Sequence, residues 1–373
     1  MPYLTFEFGN PGSRHAYGKT AKEAVDHARQ QVADFFHCRP DQVVFTSGGS
    51  EGNNMVIKGL KQELIHRGET TILVSAVEHD SVLNAAKDMC LFNAGFDCRL
   101  IQPRTTGNPG MIGMPEVYDA LTSDTGLVSV MAVNNETGVV NDTIDIGHYC
   151  KDHGILFHID AVQAAGVEEL DTENVFPCDF MTISSHKIHG PKGMGALFIR
   201  DTSLLNPLIS GGSAQEFGLR GGTENVAGIV GFGEACELSQ KELHRHFLQM
   251  EIEHQFLRNS LAEQAKAAGI QMVIHGDPNN ISPKTLNIAF PGIDAETMLI
   301  MLNMRNVFCS AGSACTAHEN APSHVLTAMG VDPEEARCSI RLSISYTTRH
   351  EELEEAVMTI IECASAIKAM QNG

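Results

Sequence analysis

Lys187 follows Ser184-Ser185-His186 and precedes Ile188-His189-Gly190-Pro191-Lys192-Gly193. The apolar run Phe180, Met181 and Ile183 reads as a strand ending at these polar residues, and a second run covers Ala196 to Ile199. A lysine at a strand mouth, backed by small polar groups, suits Schiff-base attachment of a carbonyl cofactor. An ordinary solvated lysine in a turn fits the same residues. Other side chains therefore have to decide. Pyridoxal phosphate needs a lysine, a carboxylate for its pyridinium nitrogen, a phosphate cradle and a flat group over the ring. Asp160 ends the apolar run Ile155 to Ile159 and is a candidate for the carboxylate. Gly49-Ser50 opens a helix directly after a strand, where glycines permit close approach and free N–H groups face an anion. His79 stands just past another strand, and Gln163 and Asn135 offer neutral hydrogen bonds at further strand ends. Taken singly, Asp160 also fits a helix N-cap, His79 a first-turn residue and Asn135 a turn.

These residues need a scaffold of alternating elements. A helix pattern places Ala21, Ala24, Val25, Ala28, Val32, Phe35 and Phe36 on one face. Strand patterns occur at Val43–Phe45, Ile72–Val74, Arg99–Ile101, Val128–Val133 and Ile155–Ile159. Between them the periodicity predicts helices through Met55, Ile57, Leu60 and Leu64, after His79, from about 114, and over about 142–152. Short buried-type runs separated by helices predict a largely parallel α/β sheet, with ligands at the C-terminal strand ends. A loop at 208–225 and a helical region over about 226–268 lead into a mixed C-terminal third. The expected division is a large cofactor-binding α/β domain, 1–242, and a small α+β domain, 243–373.

Composition narrows the function. The 373 residues carry a formal charge of −20, and no Lys/Arg block interrupts the acidic balance. That opposes binding to nucleic acid or to an anionic membrane. Ten cysteines are scattered without a Cys-x-x-Cys, as in a reducing compartment. No apolar run reaches membrane-span length, and the first residues lack a signal-peptide pattern, so a cytoplasmic location is expected.

The motifs together resemble the cysteine desulfurases of the NifS/IscS type, in the class V aminotransferase group. The matching stretches run from Phe8-Gly9-Asn10-Pro11 through Phe45-Thr46-Ser47-Gly48, Glu78-His79 and Val133-Asn134-Asn135-Glu136-Thr137-Gly138. They continue in His158-Ile159-Asp160-Ala161-Val162-Gln163, Ser185-His186-Lys187, Arg220-Gly221-Gly222-Thr223-Glu224-Asn225 and Gly312-Ser313-Ala314-Cys315. The resemblance implies the fold type I of pyridoxal enzymes. It makes Lys187 the Schiff-base lysine, Asp160 the pyridinium partner, Gln163 a bonder to the ring's phenolic oxygen, and His79 the stacking, proton-handling histidine. Gly49, Ser50, Ser184 and His186 become phosphate contacts, and Asn135 lies beside cofactor and substrate. Thr223 matches a phosphate contact given by a neighbouring subunit, which implies a homodimer. Arg341 matches the residue that forks onto the substrate carboxylate.

Cys315 lies among small residues, with no apolar pattern to bury it, whereas Cys236 and Cys363 sit among apolar neighbours as structural thiols do. An exposed thiol needs help to ionise, from His79 or His318. The implied reaction converts L-cysteine to L-alanine with a persulfide on Cys315. A protein acceptor, such as an iron–sulfur scaffold or a thiolation enzyme, would take the sulfur. No resident metal is expected, Cys315 being at most a transient iron–sulfur ligand. Family members carry a further N-terminal segment ahead of Phe-Gly-Asn-Pro, and Met1-Pro2-Tyr3-Leu4 resembles the residues that come directly after that segment. A shortened start is therefore expected, with consequences for substrate binding. Two other readings stand beside this one: a selenocysteine lyase, and a truncated, catalytically weak paralogue acting as an assembly partner.

Overall fold

Continuous apolar runs become buried central strands when helices cover both sheet faces. In the computed structural model, which describes residues 2–312 and 322–372, the chain forms two units. The first comprises Met1–Ile101, Gly113–Ala132 and Asp142–Leu243. The second comprises Gln102–Ile112, Val133–Asn141 and His244–Gly373, so two stretches of the N-terminal half belong to it.

The first unit contains a seven-stranded sheet made of β1 (Val43–Thr46), β2 (Thr71–Ser75), β3 (Asp97–Ile101), β4 (Thr125–Ser129), β5 (Leu156–Asp160), β6 (Phe180–Ser184) and β7 (Gly195–Ile199). Its order is β1-β7-β6-β5-β4-β2-β3. The pairs from β6 through β3 are parallel, and β7 runs antiparallel to both β6 and β1. All strands except β3 are buried at every residue. β3 exposes Asp97, Arg99 and Leu100, as suits a charged edge. Met55, Val56 and Ile57 of the helix Gly49–Gly59, with Val82 and Ala86 of the helix Asp80–Phe92, pack onto Ile72, Val74, Leu127, Phe180 and Leu197.

Two boundaries differ from the periodicity. The helix expected through Leu64 divides into Gly49–Gly59 and Lys61–Arg67. The Gly59 carbonyl accepts the Asn206 N–H at 3.0 Å, and a Cβ at Gly59 would lie 2.8 Å from the Asn206 carbonyl oxygen. The run 128–133 is strand only to Ser129, yet it keeps alongside β5. Val130 N–H donates to the His158 carbonyl at 3.1 Å, and Ala132 N–H to the Asp160 carbonyl at 3.0 Å.

The second unit holds an antiparallel sheet of β8 (Val273–Ile274), β9 (Thr285–Ala289) and β10 (Ser339–Ser343), ordered β10-β9-β8. Its core joins Leu286, Ile288 and Ile340 of that sheet to Met298 and Leu302 of the helix Ala295–Asn303, and to Val357 and Ile360 of the helix His350–Asn372. Among the described residues no helix is long and apolar enough to cross a membrane.

Candidate functional site

The end of β1 forms the cradle. Gly48 has φ 153°, a conformation that only glycine adopts without strain, and the helix starting at Gly49 has no side-chain cap on its first N–H groups. Neighbours crowd this turn. A Cβ on Gly49 would lie 2.8 Å from Cγ2 of Val162, and one on Gly195 would lie 2.7 Å from Cα of Gly48. Glu51 fixes the loop by accepting the Ser47 N–H at 2.8 Å and the Arg220 Nε–H at 2.9 Å. Burial alone would raise the Glu51 carboxyl, but the bonds from Arg220 and Ser47 outweigh it and hold it below the usual range. Uncapped N–H groups at a helix start, with the exposed Ser50 hydroxyl beside them, suit a phosphate dianion.

Asp160 lies at the end of β5 and is 4% exposed. Its Oδ1 accepts the Val162 N–H at 3.0 Å, and its Oδ2 accepts Nδ2–H of Asn53 at 2.7 Å. Asn53 also donates to the Ser81 hydroxyl at 2.9 Å, and that hydroxyl meets Nδ1 of His79 at 2.8 Å. Nδ1 of His79 also accepts the Ser81 N–H at 3.1 Å, so His79 is the N-cap of the helix Asp80–Phe92. His79 therefore precedes the first turn in which the sequence placed it, and the cap fixes its ring through Nδ1 while leaving Nε2 outside that bond. Sequence reasoning missed Asn53 and Ser81, which link His79 to Asp160. A signal existed: Asn53 stands one helical turn after Gly49, on the face that carries the cradle.

Glu78 enters the sequence pattern only as the neighbour of His79. It is fully buried, and its Oε1 accepts the Met131 N–H at 2.6 Å. Burial, reinforced by the charge of Asp160, pushes its carboxyl well above the usual range. His158, two residues before Asp160, is also fully buried. Its Nδ1 meets the Ser129 hydroxyl at 2.8 Å, and its Nε2 meets the Thr182 hydroxyl at 3.1 Å. Burial pushes this imidazole down to about 3, so the ring is neutral.

At the end of β6, the Ser184 hydroxyl meets Nδ1 of His186 at 2.9 Å, and Lys187 comes next in the 3-10 turn Ser185–Ile188. Burial, then the charges of Lys187 and Lys192, lowers the His186 pKa, which favours a neutral ring. Gln163 is partly exposed in the turn after Asp160, and Thr223 is exposed in the loop before the helix Val226–Ala267. The first unit therefore carries Gly49, Ser50, His79, Asp160, Gln163, Ser184, His186 and Lys187 at, or within a few residues past, the C-terminal ends of β1, β2, β5 and β6. Its donors fit an anion at the Gly48–Ser50 turn, and the buried Asp160 carboxylate fits a cationic ring nitrogen.

The second unit holds Asn135 and Arg341. Nη1–H of Arg341, on β10, donates to the Asn135 carbonyl at 3.0 Å, and its backbone bridges to Ser310. Cys315 and His318 lie outside the described residues. Among the described cysteines, Cys150, Cys178, Cys236 and Cys363 are buried.

Known proteins match this chain over most of its length. The family model described as aminotransferase class-V matches residues 1–356. The mitochondrial cysteine desulfurase of Arabidopsis thaliana is 38% identical over 367 residues, which is 98% of this chain and 78% of that protein. A solved NifS-like protein superposes with a TM-score of 0.87 at 32% identity, covering 98% of this chain and 94% of its own. A solved SspA, in complex with cysteine, gives a TM-score of 0.76 at 34% identity, covering 92% of each chain.

Proposed function

This chain belongs to the class-V aminotransferase family, alongside the cysteine desulfurases, and from that membership we propose that it is a pyridoxal 5′-phosphate-dependent cysteine desulfurase. The reaction converts L-cysteine to L-alanine and leaves a persulfide on Cys315. The observation that supports this reading most is the hydrogen-bonded line His79–Ser81–Asn53–Asp160, in the same unit as the glycine cradle. A plain strand-to-helix turn needs no buried carboxylate held in this way.

Pyridoxal phosphate, when bound, supplies an electron sink for the bonds at the substrate α-carbon. The residues of the chain do the rest. The N–H groups at Gly49, with Ser50, Ser184 and His186, bind the phosphate, and a neutral His186 donates without adding charge. Asp160 holds the ring-nitrogen proton, and Asn53 keeps its carboxylate aimed. Gln163 donates to the phenolic oxygen. Lys187 would anchor the cofactor and, as a free amine, would move the proton at the substrate α-carbon. His79 stacks and handles protons through Nε2, and Asn135 lies beside cofactor and substrate. Arg341 forks onto the substrate carboxylate. The Cys315 thiolate attacks the substrate sulfur. A new S–S bond forms, the C–S bond breaks, and the carbon skeleton leaves as alanine after protonation.

The protein acts in the cytoplasm as a homodimer, with Thr223 reaching the neighbouring subunit's phosphate. It passes sulfur to a protein acceptor such as an iron–sulfur scaffold or a thiolation enzyme. The test is the visible spectrum of the purified protein, then alanine and sulfide release from L-cysteine. Cys315→Ser should keep the cofactor band and lose persulfide formation; unchanged sulfide release would overturn the role of Cys315. Faster turnover of selenocysteine than of cysteine would favour the lyase reading.

A further inference from the structure

β1 lies at one edge of the seven-stranded sheet, beside β7. An edge strand turns a row of backbone N–H and C=O groups away from the sheet, and they need other partners. Here a buried ion pair supplies them. Arg29, in the helix Ala16–Phe36, and Glu216, in the loop at 208–225, are both buried. Nη1–H of Arg29 donates to the Val43 carbonyl at 2.7 Å, and the Phe45 N–H donates to Oε2 of Glu216 at 2.7 Å. The two side chains also fork onto each other: Nη1–H donates to Oε2 at 2.9 Å, and Nη2–H to Oε1 at 2.5 Å. The pair thus offers β1 the donor and the acceptor that a neighbouring strand would offer. The guanidinium lies over the rings of Phe45 and Phe217, 4.6 and 5.1 Å from their centroids. The loop is strained to reach this arrangement. Glu216 has φ 41° and Phe217 φ 56°, both in the left-handed region that disfavours side chains. Such strain persists where the surroundings enforce it, and it collects at functional sites. β1 opens directly into the turn before Gly49. Further along the loop, Nε–H of Arg220 donates to Glu51, in the first turn of the helix Gly49–Gly59. The loop therefore grips the cradle on both sides, through Phe45 before the turn and through Glu51 after it.

We propose that Arg29 and Glu216 are positioning residues for the phosphate cradle, holding the edge of β1 so that the N–H groups at Gly49 face the phosphate in one fixed arrangement. The inference rests on the reading of this chain as a pyridoxal phosphate enzyme. The ion pair is a weak source of stability, because taking two charges out of water costs about as much as their attraction returns. What it adds is direction, since a bidentate fork fixes the mutual orientation of its partners. Its effect belongs to the phosphate rather than to the ring, because His79, Asp160 and Lys187 follow or end other strands, β2, β5 and β6. Loss of the fork should therefore weaken phosphate recognition and leave capture of the ring as it was. The coupling is reciprocal: the β1 edge strengthens phosphate binding by the factor by which phosphate binding stabilises the edge.

The experiment titrates the full chain, freed of cofactor, with pyridoxal 5′-phosphate and separately with pyridoxal, reading the visible band that each forms. Arg29→Met/Glu216→Leu removes both partners of the β1 edge without leaving a buried charge, a replacement that folded proteins often tolerate. Its affinity for pyridoxal phosphate should fall about 10-fold, and its affinity for pyridoxal should stay that of the wild type. Arg29→Lys keeps the charge but loses the fork, and should shift the same ratio of affinities in the same direction by less. A pair that only held the fold together would lower the urea midpoint and move both affinities alike or neither, and that result would overturn the proposal. A second measurement needs no variant. In the wild type, pyridoxal phosphate should slow amide exchange at Phe45 about 10-fold more than pyridoxal does, and equal protection by the two would also overturn the proposal. A wild type that forms no visible band with either compound would overturn the cofactor reading, and this inference with it.

Discussion

His158 and His275 are both buried imidazoles, one in each unit, and they are tied into different structures. His158 joins β5 to hydroxyls of β4 and β6, and the Thr182 that it meets lies against the cradle helix. A Cβ on Gly52 would stand 2.7 Å from the Thr182 methyl. His275 comes directly after β8. Its Nε2 meets the Ser339 hydroxyl of β10 at 3.0 Å, and that hydroxyl donates to the Glu335 carbonyl at 3.1 Å. The first arrangement backs the turn proposed to hold the cofactor phosphate, and the second fastens a strand to a turn of helix. A buried polar group thus says little by itself. The element against which its partner packs says more. On this reading, damage at the strand ends of the first unit should cost activity or cofactor before stability, and damage in the sheet of the second should do the reverse, Arg341 excepted.

The largest effect expected is at Lys187. Lys187→Ala should lower desulfurase turnover by about 10²–10⁴-fold, the range for loss of a positioned proton-transfer group. It should also abolish the cofactor's visible band and leave the urea midpoint unchanged. A lowered midpoint with turnover retained would make the turn structural and erase the contrast between the units.

Next comes Asn53, which the sequence did not single out. Asn53→Ala removes the donor to Oδ2 of Asp160 and the link to Ser81. Loss of a hydrogen bond to a buried charge costs about 1.5–3 kcal/mol, so cofactor affinity should fall on the order of 10–100-fold. Equilibrium dialysis of pyridoxal phosphate measures this, and an unchanged affinity would detach Asn53 from the site.

Asn53 also shows what was legible in the sequence. Lys187, Asp160 and His79 stood out because each ends an apolar run, and strand ends are where a parallel sheet binds ligands. Period and burial gave the strands for the same reason. The line from His79 to Asp160 depends on a helix and a strand meeting across 107 positions, and no local pattern encodes that distance. Likewise β7 reads like any buried strand. Its antiparallel place between β6 and β1 comes from the tight turn after Lys187, because a parallel neighbour needs a long crossover. Glu78 was hidden for another reason: a carboxylate reads as surface until its burial is known.

Arg341 lies in the second unit but is assigned to substrate, so it sharpens the contrast from the other side. Arg341→Lys keeps the charge and loses the planar fork. The KM for L-cysteine should rise about 10-fold, equal to roughly 1.4 kcal/mol, with kcat changed less. A fall in stability with unaltered KM would return Arg341 to β10 as a structural residue that holds the Asn135 carbonyl.

The smallest effect is the one that compares the two histidines directly. Burial pushes His158 down to about 3 and His275 down to about 4, from an ordinary value of 6.5. In each case the folded unit holds the neutral ring, while the unfolded chain takes up a proton as pH falls through 6.5. Between that value and the folded one the unfolded state binds more protons. Stability therefore rises with pH in this window; it is complete above the unfolded value and lost as pH falls to the folded one. Each ring should remove about 1 kcal/mol between about pH 6.5 and 5.5. Amide hydrogen exchange separates the units, with β4–β6 reporting on His158 and β8–β10 on His275. His275→Asn should flatten the acid slope in β8–β10 and leave β4–β6 and cofactor affinity as they were. His158→Asn should flatten the slope in β4–β6 and weaken cofactor binding, because Thr182 loses the partner that holds it beside Gly52. If both variants lost stability and neither lost cofactor, the two imidazoles would be equivalent fasteners, and the strand ends of the first unit would owe their chemistry to Asp160 and Lys187 alone.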